Sequence, residues 1–329
     1  MSGGSDSVRI ACVDKSRWCN IGLTGSIVVH LKPVAVLPSR RRLRLHVPAL
    51  ALSLITALSG QQSDRELCRH SFFRVVSPDG SSVSQEQCQA IAAETAGAWR
   101  FDADRMRWSD AASLEKAPVT LRLLSVARMK TEHPGLYGFA RGRDLFVVSL
   151  AVLDRPFSQG TLAHEIGHIQ AKRAMGQHSE QRIVPGYFME GHGNAMGRAY
   201  RDHLQIDDRS YDAGMARRMA KITAADAALI LSETYRAAGN KEIDTMEAMG
   251  VLFVEYLRTR YRGRGIADVI PRMGAVFEAV GRGETYQNAF ERQFGASVGR
   301  ATSEMIEFLK RTEADPGRRL SGTLYAKFL

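Results

Sequence analysis

His164 and His168 stand four residues apart with Glu165 beside the first, in the run His164-Glu165-Ile166-Gly167-His168. On a helix, positions four apart lie one turn above each other, so two imidazole nitrogens can reach one metal ion. At the helical step, the two histidines sit about 40° apart around the axis and Glu165 about 100° from His164, which turns all three toward one cleft. The chemistry open to such a trio is hydrolysis, with a metal to activate water and a carboxylate to take its proton. A hydrolytic zinc keeps three protein ligands and an open position, so a further nitrogen or oxygen ligand is required. Glu190, in Tyr187-Phe188-Met189-Glu190-Gly191 and 22 residues after His168, is the candidate. The plainer alternative is a helix whose histidines merely hydrogen-bond their neighbours.

The element that must carry the pair is a helix over about 159–175, with Ser158 as N-cap and Gly176 as its stop. Leu162, Ile166 and Ile169 form the apolar stripe that buries its other side. Glu190 needs a second element. Pro185 before Gly186 suits a helix start, and through His203 this helix would put Glu190 and Asn194 on one face. Gly191, Gly193 and Gly197 each cost a helix about 1 kcal/mol against alanine, so close packing on the histidine helix must compensate. A glycine-rich loop with a solvated Glu190 is the alternative.

The motif, the later aromatic-x-Glu-Gly and the helical remainder resemble the gluzincin metallopeptidases of the thermolysin and aminopeptidase type, peptidase clan MA; the resemblance covers 159–200. It implies one zinc ion held by His164, His168 and Glu190, Glu165 as general base, and a peptide or protein substrate. Thermolysin-like members orient a histidine ligand with an Asp where this chain has Asn194, whose amide oxygen can accept the same bond. Aminopeptidase-like members often carry an oxyanion-stabilising Tyr near the segment that here reads Glu247-Ala248-Met249-Gly250, which has none. Glu247 reads instead as the N3 partner of a capping-box-like start at Asp244. Tyr187, His203, Tyr235 and Tyr256 are left as oxyanion donors or packing residues. The resemblance also implies a sheet beside the cleft whose edge strand pairs with substrate; residues 145–150 are a candidate edge, or else part of an ordinary core hairpin.

The organisation expected is α+β: a small, mainly antiparallel sheet lobe over 61–158, then a helical, zincin-like lobe over 159–329. Strands are expected over 70–76, 119–124, 136–140 and 145–150, the last two forming a hairpin around Arg141-Gly142-Arg143. A helix over 84–107 packs on them through Cys88, Ile91, Ala92 and Trp99. Later helices are expected over 223–238, 245–262, 265–280, 284–294 and 298–312, broken at glycines.

The first sixty residues read differently. Residues 1–39 have no patterned structure, and no Met occurs between Met1 and Met106, which suits a mis-called start. Arg40, Arg41, Arg42 and Arg44 precede an apolar run over 47–58, so 40–60 reads as a signal peptide and the protein as exported, periplasmic or secreted. The rivals are a buried first helix, an uncleaved tether and a cytoplasmic protein; the run is too short for a stable membrane span. Loss of this segment would leave two cysteines, Cys68 and Cys88, as one disulfide or two thiols. The chain's net charge of +10 falls to +4 over 60–329, and its Arg-rich stretches lack aromatic interleaving, so no nucleic-acid partner is expected. Two function classes stay open: a zinc peptidase, or a catalytically inactive zinc-binding or metal-free relative acting as a structural or chaperone-like module.

Overall fold

The computed structural model describes residues 10–12 and 19–21 and, with short gaps at 79–82 and 150–156 and at single positions near 135–137, 180–182, 233–239 and 262–264, residues 64–328. It divides into two compact units, 1–61 and 62–329. In the first, β1 (Ile10–Cys12) pairs antiparallel with β2 (Cys19–Ile21), so the expected unstructured extension contains a short strand pair. The signal-like segment over 40–60 lies outside the described residues.

The second unit is α+β, with a five-stranded sheet followed by helices. The strands are β3 (Arg65–His70), β4 (Phe73–Ser77), β5 (Val119–Leu124), β6 (Gly138–Arg141) and β7 (Leu145–Ser149), in the order β3-β4-β5-β7-β6. The sheet is mixed, which corrects the expected mainly antiparallel one. β3–β4 and β6–β7 are antiparallel; β4–β5 and β5–β7 are parallel. The physical reason is the crossover: parallel neighbours need a dozen or more residues between them, and helix α1 (Gln85–Met106) supplies these between β4 and β5. The stretch expected as one strand over 70–76 is two, because Ser71 turns with φ 55° between β3 and β4. Residues 145–149 are likewise not an edge: β7 lies inside the sheet and β6 is the edge.

β5 shows why the sheet holds. Val119, Leu121 and Leu123 alternate inward and are fully buried. α1 covers this face. Ser84 caps it with a reciprocal Gln87 bond, and Arg107 ends it in the left-handed region. Trp99 stands edge-on to Phe72 and Phe73, and a Cys68–Cys88 disulfide ties β3 to α1.

Helix α2 (Val126–Glu132) follows β5, and α3 (Phe157–Met175) carries the histidine motif. α3 begins two residues before the expected 159, so Ser158 lies within it. Leu162, Ile166 and Ile169 are fully buried as the stripe requires. The Arg173 guanidinium, near the end of α3, bonds the carbonyls of Leu114, Ala117 and Pro118 and the Asp144 carboxylate, while its Nε bonds the Arg143 carbonyl at 2.8 Å. That one side chain fixes the β6–β7 hairpin against the motif helix.

α4 (Gly186–His203) is the second element of the site, and its glycines are helical. A Cβ on Gly197 would sit 2.5 Å from the Gly160 carbonyl oxygen of α3, and one on Gly193 would sit 2.9 Å from the His164 ring. Gly191 meets Gly250 of α7 (Asn240–Arg260) as closely. Contact between backbones thus explains the run that helix propensity disfavours, and the loop alternative falls.

The remaining helices are α5 (Arg209–Ala220), α6 (Ala224–Ile230), α8 (Ile266–Gly281), α9 (Tyr286–Phe294), α10 (Val298–Arg311) and α11 (Pro316–Leu320). α5 was not expected: only Met215, Ala216, Met219 and Asp212 of its residues are buried, and its polar remainder blurs the apolar stripe. α7 begins at Asn240, earlier than expected, so Asp244 lies within it and cannot cap it.

Candidate metal centre

α3 and α4 bring three donor atoms together. His164 Nε2 lies 2.9 Å from His168 Nε2. Glu190 Oε2 lies 3.4 Å from the first and 3.6 Å from the second. A point about 1.9 Å from all three exists at the centre of that triangle, and a small step out of its plane reaches the roughly 2.0–2.2 Å of metal–nitrogen and metal–oxygen bonds. The group could therefore hold a metal ion. It is mostly shielded, with side-chain exposures of 15% for His164, 8% for His168 and 24% for Glu190.

The protonation of these groups is coupled. Burial alone would lower the His164 pKa, but its bond to Glu190 and the charges of Glu165, Glu190 and Glu247 outweigh that and push it up to about 9. Burial alone would raise the Glu190 pKa; the two histidines reverse this and hold it far below the usual carboxylate range. Each side of the cluster demands a charge from the other. Glu165 behaves differently: burial raises its pKa and wins over the lowering influence of the histidines, so its carboxyl holds a proton more readily than a free one.

Asn194 does not orient a ligand histidine. Its Nδ2 donates to the Glu190 carbonyl at 3.0 Å, and its Oδ1 accepts from the Tyr211 hydroxyl at 2.6 Å. Its link is to the backbone under Glu190. His168 Nδ1 is buried with no hydrogen-bond partner among the described residues. Tyr211, on α5, was missed by sequence reasoning because its helix was missed; Asp208 three residues earlier, which caps that helix, was the readable signal.

Glu247, expected as a cap partner, faces the cleft instead, 2.8 Å from Arg218 and 3.4 Å from the Tyr211 hydroxyl. Of the four oxyanion candidates, Tyr187 is buried edge-on to Phe253, His203 packs against Phe101, and Tyr256 bonds Glu304. Only Tyr235 of the four lines the cleft, together with Tyr211. His192, close to Glu190 in sequence, is excluded from the cluster: it is fully buried, with Nε2 3.2 Å from Met106 Sδ. Burial, reinforced by the nearby histidines, keeps it neutral.

The cluster lies in a cleft of about 1080 Å³. One wall is the edge strand β6, the hairpin turn after it and α3; the other is α4, α5 and α7. Gly138 of β6 comes close to Thr161 of α3, where an added Cβ would lie 3.3 Å from the threonine methyl. Lys172, one turn beyond His168, also lines this space; the 164, 168, 172 spacing could have revealed it.

No protein-family model matches the chain, and no curated protein matches it in sequence.

Proposed function

We propose that this protein is a zinc-dependent peptidase of gluzincin type. The observation that carries the reading is the meeting of His164, His168 and Glu190 donor atoms around one point, with Glu165 next to them in a cleft. Two imidazoles and one carboxylate are a donor set suited to zinc, and three protein ligands leave room for a substrate or water. When bound there, zinc would lower the pKa of water and polarise a carbonyl.

The residues of the chain then have definable tasks. Glu165, with its raised proton affinity, takes a proton from the attacking water as the new C–O bond forms, and returns one to the leaving amine as the C–N bond breaks. The proton count closes without a covalent intermediate. Tyr235 lines the cleft and is the hydroxyl candidate for the oxyanion, the Tyr211 proton being donated to Asn194. Among the described residues β6 has no strand on its outer side, which offers an extended peptide backbone partners, the role the sequence suggests for 145–150.

The test is metal analysis with turnover on a peptide library. Glu165→Gln should keep zinc and lose hydrolysis by 100-fold or more, on the order of a general base's contribution; His164→Ala should lose both. Undiminished turnover in the glutamine variant sinks the mechanism.

A second reading, a zinc-binding relative without catalysis, is favoured by one observation. Among the described residues His168 Nδ1 lacks the hydrogen-bond acceptor that usually orients a metal-binding imidazole, and Asn194 is engaged elsewhere. Zinc bound with no cleavage of any peptide would select it. Export is the favoured location in either case, supported by the signal-like segment over 40–60 and the Cys68–Cys88 disulfide. Among the described residues no helix is long and apolar enough to cross a membrane.

A further inference from the structure

The two walls of the cleft differ in how their cations are satisfied. On the helical wall, Arg198 and Arg201 share the Asp212 carboxylate at 3.1 and 2.9 Å, and Arg218 bonds Glu247 at 2.8 Å. Asp202 adds a second carboxylate to Arg198 and Asp208 one to Arg201, so each of the three guanidiniums is paired. On the strand wall, Lys172 lines the cleft, and among the described residues the acidic residue lining it there is Glu165. Among the described residues Lys172 makes no ion pair, and its ammonium donates to the Ala140 carbonyl of β6, at 3.3 Å. An ammonium has three donors and a preference for an anionic acceptor. Its carboxylate neighbours, Glu165 and Glu190, act on it only through their fields.

We propose that Lys172 is a specificity residue, seating a substrate carboxylate on the strand wall one helical turn from His168. The inference rests on the peptidase reading and extends it to substrate class: peptides bearing an acidic side chain or a free C-terminal carboxylate within reach of the scissile bond. The seat is half-buried, so a charge-assisted bond formed there is less screened by salt than one on the surface.

The experiment uses the full chain loaded with zinc and N-acetylated hexapeptides in matched pairs. One series sets Glu against Gln at a single scanned position; a final pair sets a free C-terminus against its amide. Binding is read by fluorescence anisotropy on the Glu165→Gln protein, and cleavage on the parent. The expected result is at least a tenfold preference for the acid at one place, lost in Lys172→Met, partly kept in Lys172→Arg, with neutral peptides changed less than about twofold. The place of the preference separates a side chain from a terminus. Lys172→Gln serves if the methionine variant does not fold.

No acid preference in the parent overturns the proposal, as does a preference that survives loss of the charge. Equal slowing of acidic and neutral peptides also overturns it, because Lys172 would then act through Glu165 or the fold. Acid-selective binding without cleavage keeps this proposal and sinks the peptidase reading; cleavage without selectivity does the reverse.

Discussion

The α1–sheet contact and the α3–α4 contact hold their partners by opposite means. The first is made by bulk: Trp99 edge-on to two phenylalanines, a Cys68–Cys88 bridge and alternating β5 side chains. The second is made by absence, with glycines letting two backbones approach until no Cβ fits. The first arrangement supplies stability through buried apolar area. The second sets the spacing of the His164, His168 and Glu190 donors, since Gly193 faces the His164 ring and Gly197 the Gly160 backbone. Stability and metal geometry should therefore be separable by mutation.

Truncation on the sheet side should have the largest effect on stability. Trp99→Ala should destabilise the protein by about 3–5 kcal/mol, the usual cost of emptying such a site. Measured by denaturant unfolding, a loss below about 1 kcal/mol would show that the contact is not what holds the sheet. Replacing both Cys68 and Cys88 by serine should cost about 3 kcal/mol, from the entropy of a loop closed across 20 residues. Zinc affinity per folded molecule should stay the same in that variant. A parallel loss of affinity would break the contrast between the two regions.

On the glycine seam the metal site should suffer together with stability. Gly197→Ala should cost about 1–3 kcal/mol, because the neighbour of its new Cβ is the Gly160 backbone and cannot yield. It should also weaken zinc binding, since α4 must move away from His164. Gly193→Ala should be milder for stability but weaken zinc by about tenfold in a competition titration, because the new methyl would press on the His164 ring itself. If Gly193→Ala binds zinc as tightly as the parent, the seam does not set the donor geometry.

Much of this site was legible in advance because its signals are local. The His164/His168 spacing and the buried stripe of Leu162, Ile166 and Ile169 both follow from helical periodicity within a few residues. The hairpin at Gly142, with φ 63°, was legible for the same reason. Asn194 was misread because its neighbour Tyr211 comes from a helix whose stripe was too polar to detect. Glu247 was misread as a cap because a four-residue pattern cannot say where its helix begins.

What the sequence by itself determined is which residues can share one helix face, since φ and ψ preferences and side-chain periods are short-range properties. It could thus name His164, Glu165, His168 and Glu190 as a set with common chemistry. Only the tertiary structure decided that the Glu190 carboxylate comes within 3.4–3.6 Å of both imidazoles, that β6 rather than β7 borders the cleft, and that Lys172 lines the same space with no ion pair among the described residues. Those outcomes depend on strand order and helix approach, which are set by the simultaneous burial of surfaces far apart in the chain and have no signature within any one segment.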